Sequence, residues 1–435
     1  MSYLIRGGRV VDPATGRDET LDVLIEGTSI TEVAAKITSD AGVVDASGCI
    51  VAPALVDMHT HVREPGREDE ETIATASAAA AAGGYSAICA MPNTDPVADT
   101  AAVVETVWSA GRDCGLVEVL PAGALTRGQM GTEMADLGEM YHSPARVRLF
   151  TDDGKGVQDA LIARRLMEYL KGFDAIYAEH CEVEALARDG HMHEGERSIS
   201  LGLRGQPAAA EELMVARDIA LARLTGCRLH LLHLSTARSV DHVRAAKAEG
   251  MRVTAEATPH HFSLTDGALA SYDPNAKVNP PLRTEEDRLA VIQGLADGTI
   301  DAIATDHAPH APEEKDQEIT LAPPGLIGLE TALALVLTEL VEPGHLSLGA
   351  ALGACSSRPA RILGLDSHGG PIEAGAPAHL CVFDPELSWI VEPPFRSRSA
   401  NTPFLGRTLK GRVRHTFYGG RQTVSDSKVT GEVLV

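Results

Sequence analysis

The stretch CIVAPALVDMHTHVREPG, residues 49–66, begins as an apolar run and ends with two histidines two positions apart, an arginine and a Pro-Gly pair. In an extended segment, residues two apart point to the same side, so His59 and His61 can reach one ion together. On a helix the same spacing separates them by roughly 200°. Apolar run and histidine pair together read as a strand delivering ligands at its C-terminal end. The pair alone is a weak signal, because a solvated loop can carry one too. His191-Met192-His193 has the same spacing but lies in RDGHMHEGERS, a polar stretch between a helix and the next strand, and reads as a decoy.

Working outward, further apolar runs alternate with helix-like segments. The strand candidates are residues 54–58, 85–91, 115–121, 146–150, 174–179, 227–234, 252–258 and 301–306. Helix formers such as ETIATASAAAAA, QDALIARRLMEYL, AAEELMVARDIALARL and ARSVDHVRAAKAEG lie between them. Eight strands with helical crossovers predict an α/β fold, a (β/α)8 TIM-type barrel. An open doubly wound sheet is the rival, but no GxGxxG opens a helix after a strand and no GxxxxGK[ST] occurs. Residues 2–53 and 370–435 instead read as short strands broken by Gly and Pro, ending in the tail GEVLV. The expected division is a small β-sandwich domain from residues 1–54 plus 366–435 and a catalytic barrel over 55–365.

Bulk properties narrow the function. The 435 residues carry 61 acidic and 38 basic side chains, a formal net charge of −23, which argues against a nucleic-acid or anionic-membrane surface. No apolar stretch is long enough to span a membrane and MSYLIRGGRVVDP has no signal core, so a soluble, cytoplasmic protein is expected. Seven cysteines without CxxC spacing read as reduced, small hydrophobes.

On the barrel reading, the polar residues at the strand ends converge on one face. These are His59 and His61, Asp152 and Asp153, Glu179-His180, His233 and Asp306. Each also has a plainer reading. His180 or His233 alone would usually be a hydrogen-bonded core histidine, and His230, three residues before His233 and on the opposite strand face, is read that way. Either aspartate can be a turn residue before Gly154, Asp152 more readily, and Asp306 can cap a helix. Four imidazoles and two carboxylates at one face nevertheless make a site for two divalent ions, and imidazole suits zinc, manganese and cobalt alike.

The motifs DMHTHVREPG and ATDHAPHAPEEK (304–315) resemble the two signature stretches of the dihydroorotases, in the amidohydrolase superfamily. FTDDGKGVQ, AEH, HLLHLST and ATPHHFSLTD resemble the intervening blocks of the class I bacterial enzymes. The resemblance implies His59 and His61 on a first zinc ion, His180 and His233 on a second, and Asp153 with a hydroxide bridging the two. Asp306 would ligate the first ion and act as proton shuttle. Asp153 is preferred to Asp152 because its interval to His180 matches the family pattern. Related hydantoinases and allantoinases use a carboxylated lysine as bridge, whereas RVRLFTDDGKG offers Asp at that position, with Lys155 two residues farther on.

By the same resemblance the reaction is the reversible hydrolysis of (S)-dihydroorotate to N-carbamoyl-L-aspartate in pyrimidine biosynthesis. His61, Arg63, Asn93 and His310 would meet the substrate, and Asn279 in KVNPPLR would read its ring or ureido edge. Without the resemblance Arg63 is a surface arginine and Asn93 a turn former. One departure stands out: the family's APFG segment touches substrate through backbone groups, but this chain reads LAPPGLIGLE. Pro324 lacks a backbone donor, so the contact is expected to move to Gly325 or weaken. A homodimer is expected. The alternatives are a hydantoinase-like or allantoinase-like amidase, or a non-catalytic scaffold for aspartate transcarbamoylase, with which association is a further expectation.

Overall fold

The structure is a computed structural model and describes residues 2–430, so the tail strand expected at 431–435 lies outside the described residues. Strands form at every one of the eight expected places: Leu55–Thr60, Tyr85–Ala90, Glu118–Pro121, Leu149–Phe150, Ile176–Glu179, Arg228–Leu231, Val253–Ala257 and Ala302–Ile303. They pair in parallel as a three-stranded and a five-stranded sheet. Single parallel bridges, Gly123 to Phe150 and Thr60 to His307, join the two sheets at both edges. This is an α/β arrangement of the kind found in barrel-related hydrolases.

The sequence pattern explains the layers. Val56, Met58, Ala87, Cys89, Leu149, Ile176, Ala178 and Ala302 form one buried apolar cluster contributed by successive strands. Side chains on the opposite strand faces, such as Tyr85, Ile88 and Ile303, pack instead with the helices. Burying each such aliphatic side chain contributes about 1.5–3 kcal/mol. The helices between strands are bounded by local chemistry. Thr72 and Thr75 form a capping box before Ile73–Ala82, Asp159 caps Ala160–Lys171, and Thr236 caps Ala237–Ala248.

Two strands stop short of their expected ends, and both stops bear on function. The run 301–306 is ladder only at Ala302–Ile303. Beyond it, the buried carboxylate of Asp57 accepts hydrogen bonds from the Thr305 backbone N–H at 2.8 Å and from its hydroxyl at 2.5 Å, and Asp306 then turns with φ +48°. The run 227–234 is ladder only over Arg228–Leu231, and His233 has φ +29°.

The two terminal β pieces pair with each other. Ile50–Pro53 runs antiparallel to Leu380–Phe383, joining the strands of both termini into one nine-stranded sheet. Its cluster draws Ile5, Val10, Val23, Ile25 and Val51 from one end of the chain and Leu380, Val382 and Phe417 from the other. All seven cysteines are free thiols, six of them buried. No helix among the described residues is long and apolar enough to cross a membrane.

Candidate metal centre

His59 is the penultimate residue of the strand Leu55–Thr60 and His61 the first residue beyond it, and both rings are buried. Asp153 follows Leu149–Phe150, His180 follows Ile176–Glu179, His233 lies two residues past Arg228–Leu231, and Asp306 follows Ala302–Ile303. All six meet at one point. One carboxylate oxygen of Asp153, Oδ2, stands 3.4 Å from both His59 Nε2 and His61 Nε2. The other, Oδ1, stands 3.5 Å from both His180 Nδ1 and His233 Nε2. Asp306 Oδ1 lies 3.1 Å from His61 Nε2 and 3.5 Å from His59 Nε2.

These are ligand-to-ligand spacings. Four donors about 2.0–2.1 Å from a tetrahedral ion sit about 3.3 Å from one another. His59 Nε2 and Asp153 Oδ1 are buried and have no aligned hydrogen-bond partner, although oppositely polarised atoms are close. His180 Nδ1 and His233 Nε2 point at each other across 3.0 Å. Buried lone pairs gathered this closely are costly unless a positive charge sits among them. The donors form two groups sharing Asp153, one with His59 and His61 and one with His180 and His233, so the residues fit two adjacent metal ions.

The electrostatics agree. Burial works against a charged His59 ring, yet Asp153 and Asp306 outweigh it and raise its pKa well above the ordinary value. Burial likewise opposes charge on His180, but Asp153 and Glu182 push it up to about 10. Asp153 shows the reciprocal effect: burial favours its neutral form, and the surrounding histidines, His59 foremost, hold its pKa well below the usual carboxylate range. For Asp306, too, burial is overcome by His59 and His61, which lower its pKa.

Behind these donors lies a set of orienting groups. Glu256 reaches His59 Nδ1 at 2.8 Å with one oxygen and His230 Nε2 at 3.1 Å with the other. Against the burial penalty, His230 and His59 pull the Glu256 carboxyl down to about 2. His230 is thus the hydrogen-bonded core histidine expected, but its partner belongs to the centre. Asn279 Nδ2 lies 3.3 Å from His180 Nε2, and Gln206 Nε2 donates to both Glu182 and Asn279. Asn93 Oδ1 lies 2.9 Å from His61 Nδ1. Asp152 turns away from the donors and accepts from the backbone N–H groups of Leu125 and Thr126 at 2.8 and 3.0 Å. Sequence reasoning missed Glu256, Glu182 and Gln206. An acid within the apolar strand VTAEA was the one signal available for Glu256.

Arg63, with φ +60°, turns out of the same loop as His61 and approaches His310, whose Nε2 is 3.4 Å from Arg63 Nη2. His310 Nε2 also faces the Pro324 carbonyl at 2.9 Å. The Gly325 N–H donates to Lys277 O at 2.8 Å, and a side chain at Gly325 would collide with Ala308 and His310 at its φ of +135°. The decoy pair lies elsewhere. Met192–His193 forms a two-residue ribbon with Gly205–Gln206, and His193 Nδ1 meets Arg283 Nη1 at 3.2 Å.

A protein-family profile described as Dihydro-orotase-like matches residues 48–239. A dihydroorotase of Streptomyces coelicolor is 50% identical over 429 residues, covering 98% of this chain and 99% of that protein. A dihydroorotase of Pelotomaculum thermopropionicum is 51% identical over 428 residues, with 98% and 99% coverage. Among solved structures, the L-hydantoinase (dihydropyrimidinase) of Arthrobacter aurescens superposes with a TM-score of 0.87 over 99% of this chain and 97% of that one, at 23% identity, a likeness of fold. With half its residues shared with such relatives across nearly its whole length, the chain belongs to the dihydroorotase family of the amidohydrolase superfamily.

Proposed function

We propose that this protein is a dihydroorotase, interconverting (S)-dihydroorotate and N-carbamoyl-L-aspartate. The observation that carries the reading is the Asp153 carboxylate, which turns one oxygen to His59 and His61 and the other to His180 and His233, beside the Arg63–His310 pair. His59, His61 and Asp306 would hold one divalent ion, His180 and His233 a second, and Asp153 both. Zinc matches the nitrogen-rich donor set. When bound, the ions supply polarisation of the scissile carbonyl and a water of lowered pKa.

The rest is done by the chain. Asp306 is ionised and within reach of His61, and accepts the proton released on attack at the ring carbonyl. It returns that proton to the leaving ring nitrogen; in the reverse direction it takes a proton from the ureido nitrogen as the ring closes. Arg63 presents a planar fork suited to the free carboxylate, with His310 beside it and Asn93 held on His61. Asn279, 3.3 Å from His180 Nε2, would read the ring or its ureido edge. The Gly325 N–H already bonds Lys277 O, which favours a weakened backbone contact at the Pro324–Gly325 segment. The two parallel sheets and their joining bridges support a closed (β/α)8 barrel over residues 55–365. The nine-stranded sheet supports a second domain, residues 1–54 plus 366–435, folded as a sandwich around its own cluster.

A hydantoinase-like activity is disfavoured because the bridging position holds Asp153, while Lys155 is exposed in the turn beyond it. The experiment is turnover of dihydroorotate at alkaline pH and of N-carbamoyl-L-aspartate at mildly acidic pH by zinc-loaded protein, beside hydantoin and allantoin. Interconversion of the first pair alone, lost in Asp306→Asn, is expected. Turnover of hydantoin or allantoin instead would reassign the activity.

A further inference from the structure

Arg63 and His310 are side chains with several rotatable bonds, yet each must present a fixed donor geometry to a substrate carboxylate. One buried acid lies against both, beside the Pro309 carbonyl, which accepts from Arg63 Nε at 3.1 Å. Glu70 is fully shielded from solvent, and its two oxygens are divided between the pair: Oε2 is 3.0 Å from Arg63 Nε, and Oε1 is 2.9 Å from His310 Nδ1. The Glu70 contact at Arg63 Nε is one of charge, and with Nδ1 of His310 on Glu70 its Nε2 lies between Arg63 Nη2 at 3.4 Å and the Pro324 carbonyl at 2.9 Å. The Glu70 backbone is fixed as well, its carbonyl accepting from the Ser399 hydroxyl at 2.7 Å.

A second layer closes over this acid. Arg67 Nη2 donates to Glu70 Oε1 at 2.7 Å and to Glu314 Oε1 at 2.5 Å, and Glu314 Oε2 reaches His310 Nδ1 at 3.2 Å. Glu70, His310 and Glu314 also have the spacing of a metal site. The Arg67 guanidinium already supplies the positive charge on both carboxylates, so a cation has no vacancy of charge to fill. Burial opposes ionisation of Glu70, but His310 and its other neighbours hold the carboxyl down at about 2, so it is an anion at any working pH.

We infer that Glu70 is a positioning residue for substrate recognition, aligning Arg63 and His310 as a two-pronged receptor for the free carboxylate of the substrate. The inference rests on the dihydroorotase reading above. Glu70 touches no reacting atom, and its effect runs through the two residues it holds. Replacing it with glutamine keeps the shape but removes the charge beside Arg63 and turns one acceptor oxygen into an amide donor, so either Arg63 or His310 meets a like pole.

The test is steady-state kinetics of Glu70→Gln and Glu70→Asp against wild type, in both reaction directions, with bound metal measured. For Glu70→Gln we expect KM to rise about tenfold or more while kcat changes less than about threefold and the metal content is unchanged, the pattern of lost binding rather than lost chemistry. Glu70→Asp, which keeps the charge on a shorter arm, should fall between. A merely structural acid would lower the amount of active enzyme, hence apparent kcat, and leave KM alone; that result overturns the inference, as does an unchanged KM. If Glu70→Gln does not fold, Glu314→Gln decides: it touches His310 directly and Glu70 only through Arg67, and a KM rise of about two- to fivefold is expected, an unchanged KM being the contrary result. A wild-type protein that turns over neither compound removes the proposed function and this inference together, whereas a working wild type with an unchanged variant KM removes the inference only.

Discussion

The molecule carries the pattern His-x-His twice, and only one copy is at the metal centre. His59 and His61 leave the end of a strand whose neighbours bring His180, His233, Asp153 and Asp306 to the same point. His191 precedes a two-residue ribbon and His193 lies in it beside an arginine, and burial together with Arg283 lowers the pKa of His193. The first pair faces the carboxylates of Asp153 and Asp306, which raise the pKa of His59 although burial and Arg63 lower that of His61. The second pair faces no such acids at bonding distance among the described residues, and Arg283 beside His193 opposes its charge. Identical local spacing therefore acquires different chemistry from what the fold places opposite it.

The sharpest way to break this comparison is to remove one histidine from each. His59→Ala or His61→Ala should lower kcat by about a thousandfold or more and lose bound metal, measured by elemental analysis and turnover. Equal losses in His193→Ala would erase the distinction. Asp306→Asn should lose on the order of a thousandfold in kcat while retaining most bound metal, which separates proton transfer from ligation. Glu256→Gln should weaken metal affinity by about 10–100-fold through His59, read by competition with a chelator. Retained affinity would show that Glu256 serves the fold alone. The smallest effect belongs to the second pair: His193→Ala should leave kcat within about twofold and cost about 1 kcal/mol of stability in denaturant unfolding, because it leaves a buried arginine nitrogen with one partner fewer.

The legible part of this site was its strand ends. His59, His61, His180, His233 and Asp306 follow apolar runs, and apolar runs are what periodicity reveals. Asp152 and Asp153 were separable only by resemblance, because a turn allows either side chain to point inward; the structure commits Asp152 to the backbone of Leu125 and Thr126. The roles of Glu256 and Gln206 arise from pairings between distant segments, such as Glu256 with His59, that no local pattern encodes, and Glu182, although two residues from His180, is tied in by Gln206 from a separate element. Strand lengths were over-read at 301–306 for a related reason. The sequence there stays compatible with a strand, but Asp57 draws Thr305 out of the ladder from across the fold.

The pairing of Ile50–Pro53 with Leu380–Phe383 has a consequence for how the protein is made. A ribosome emits the chain from its N-terminus at about 5–20 residues per second, so the first strands wait on the order of tens of seconds for the segment that completes their sheet. Until then the edge of Ile50–Pro53 is an open ladder, a template for pairing with a neighbouring nascent chain. Chains halted before residue 380 would keep every metal donor yet carry that raw edge. Premature termination late in the message would therefore yield aggregates, with the C-terminal strands acting as a seal fitted last.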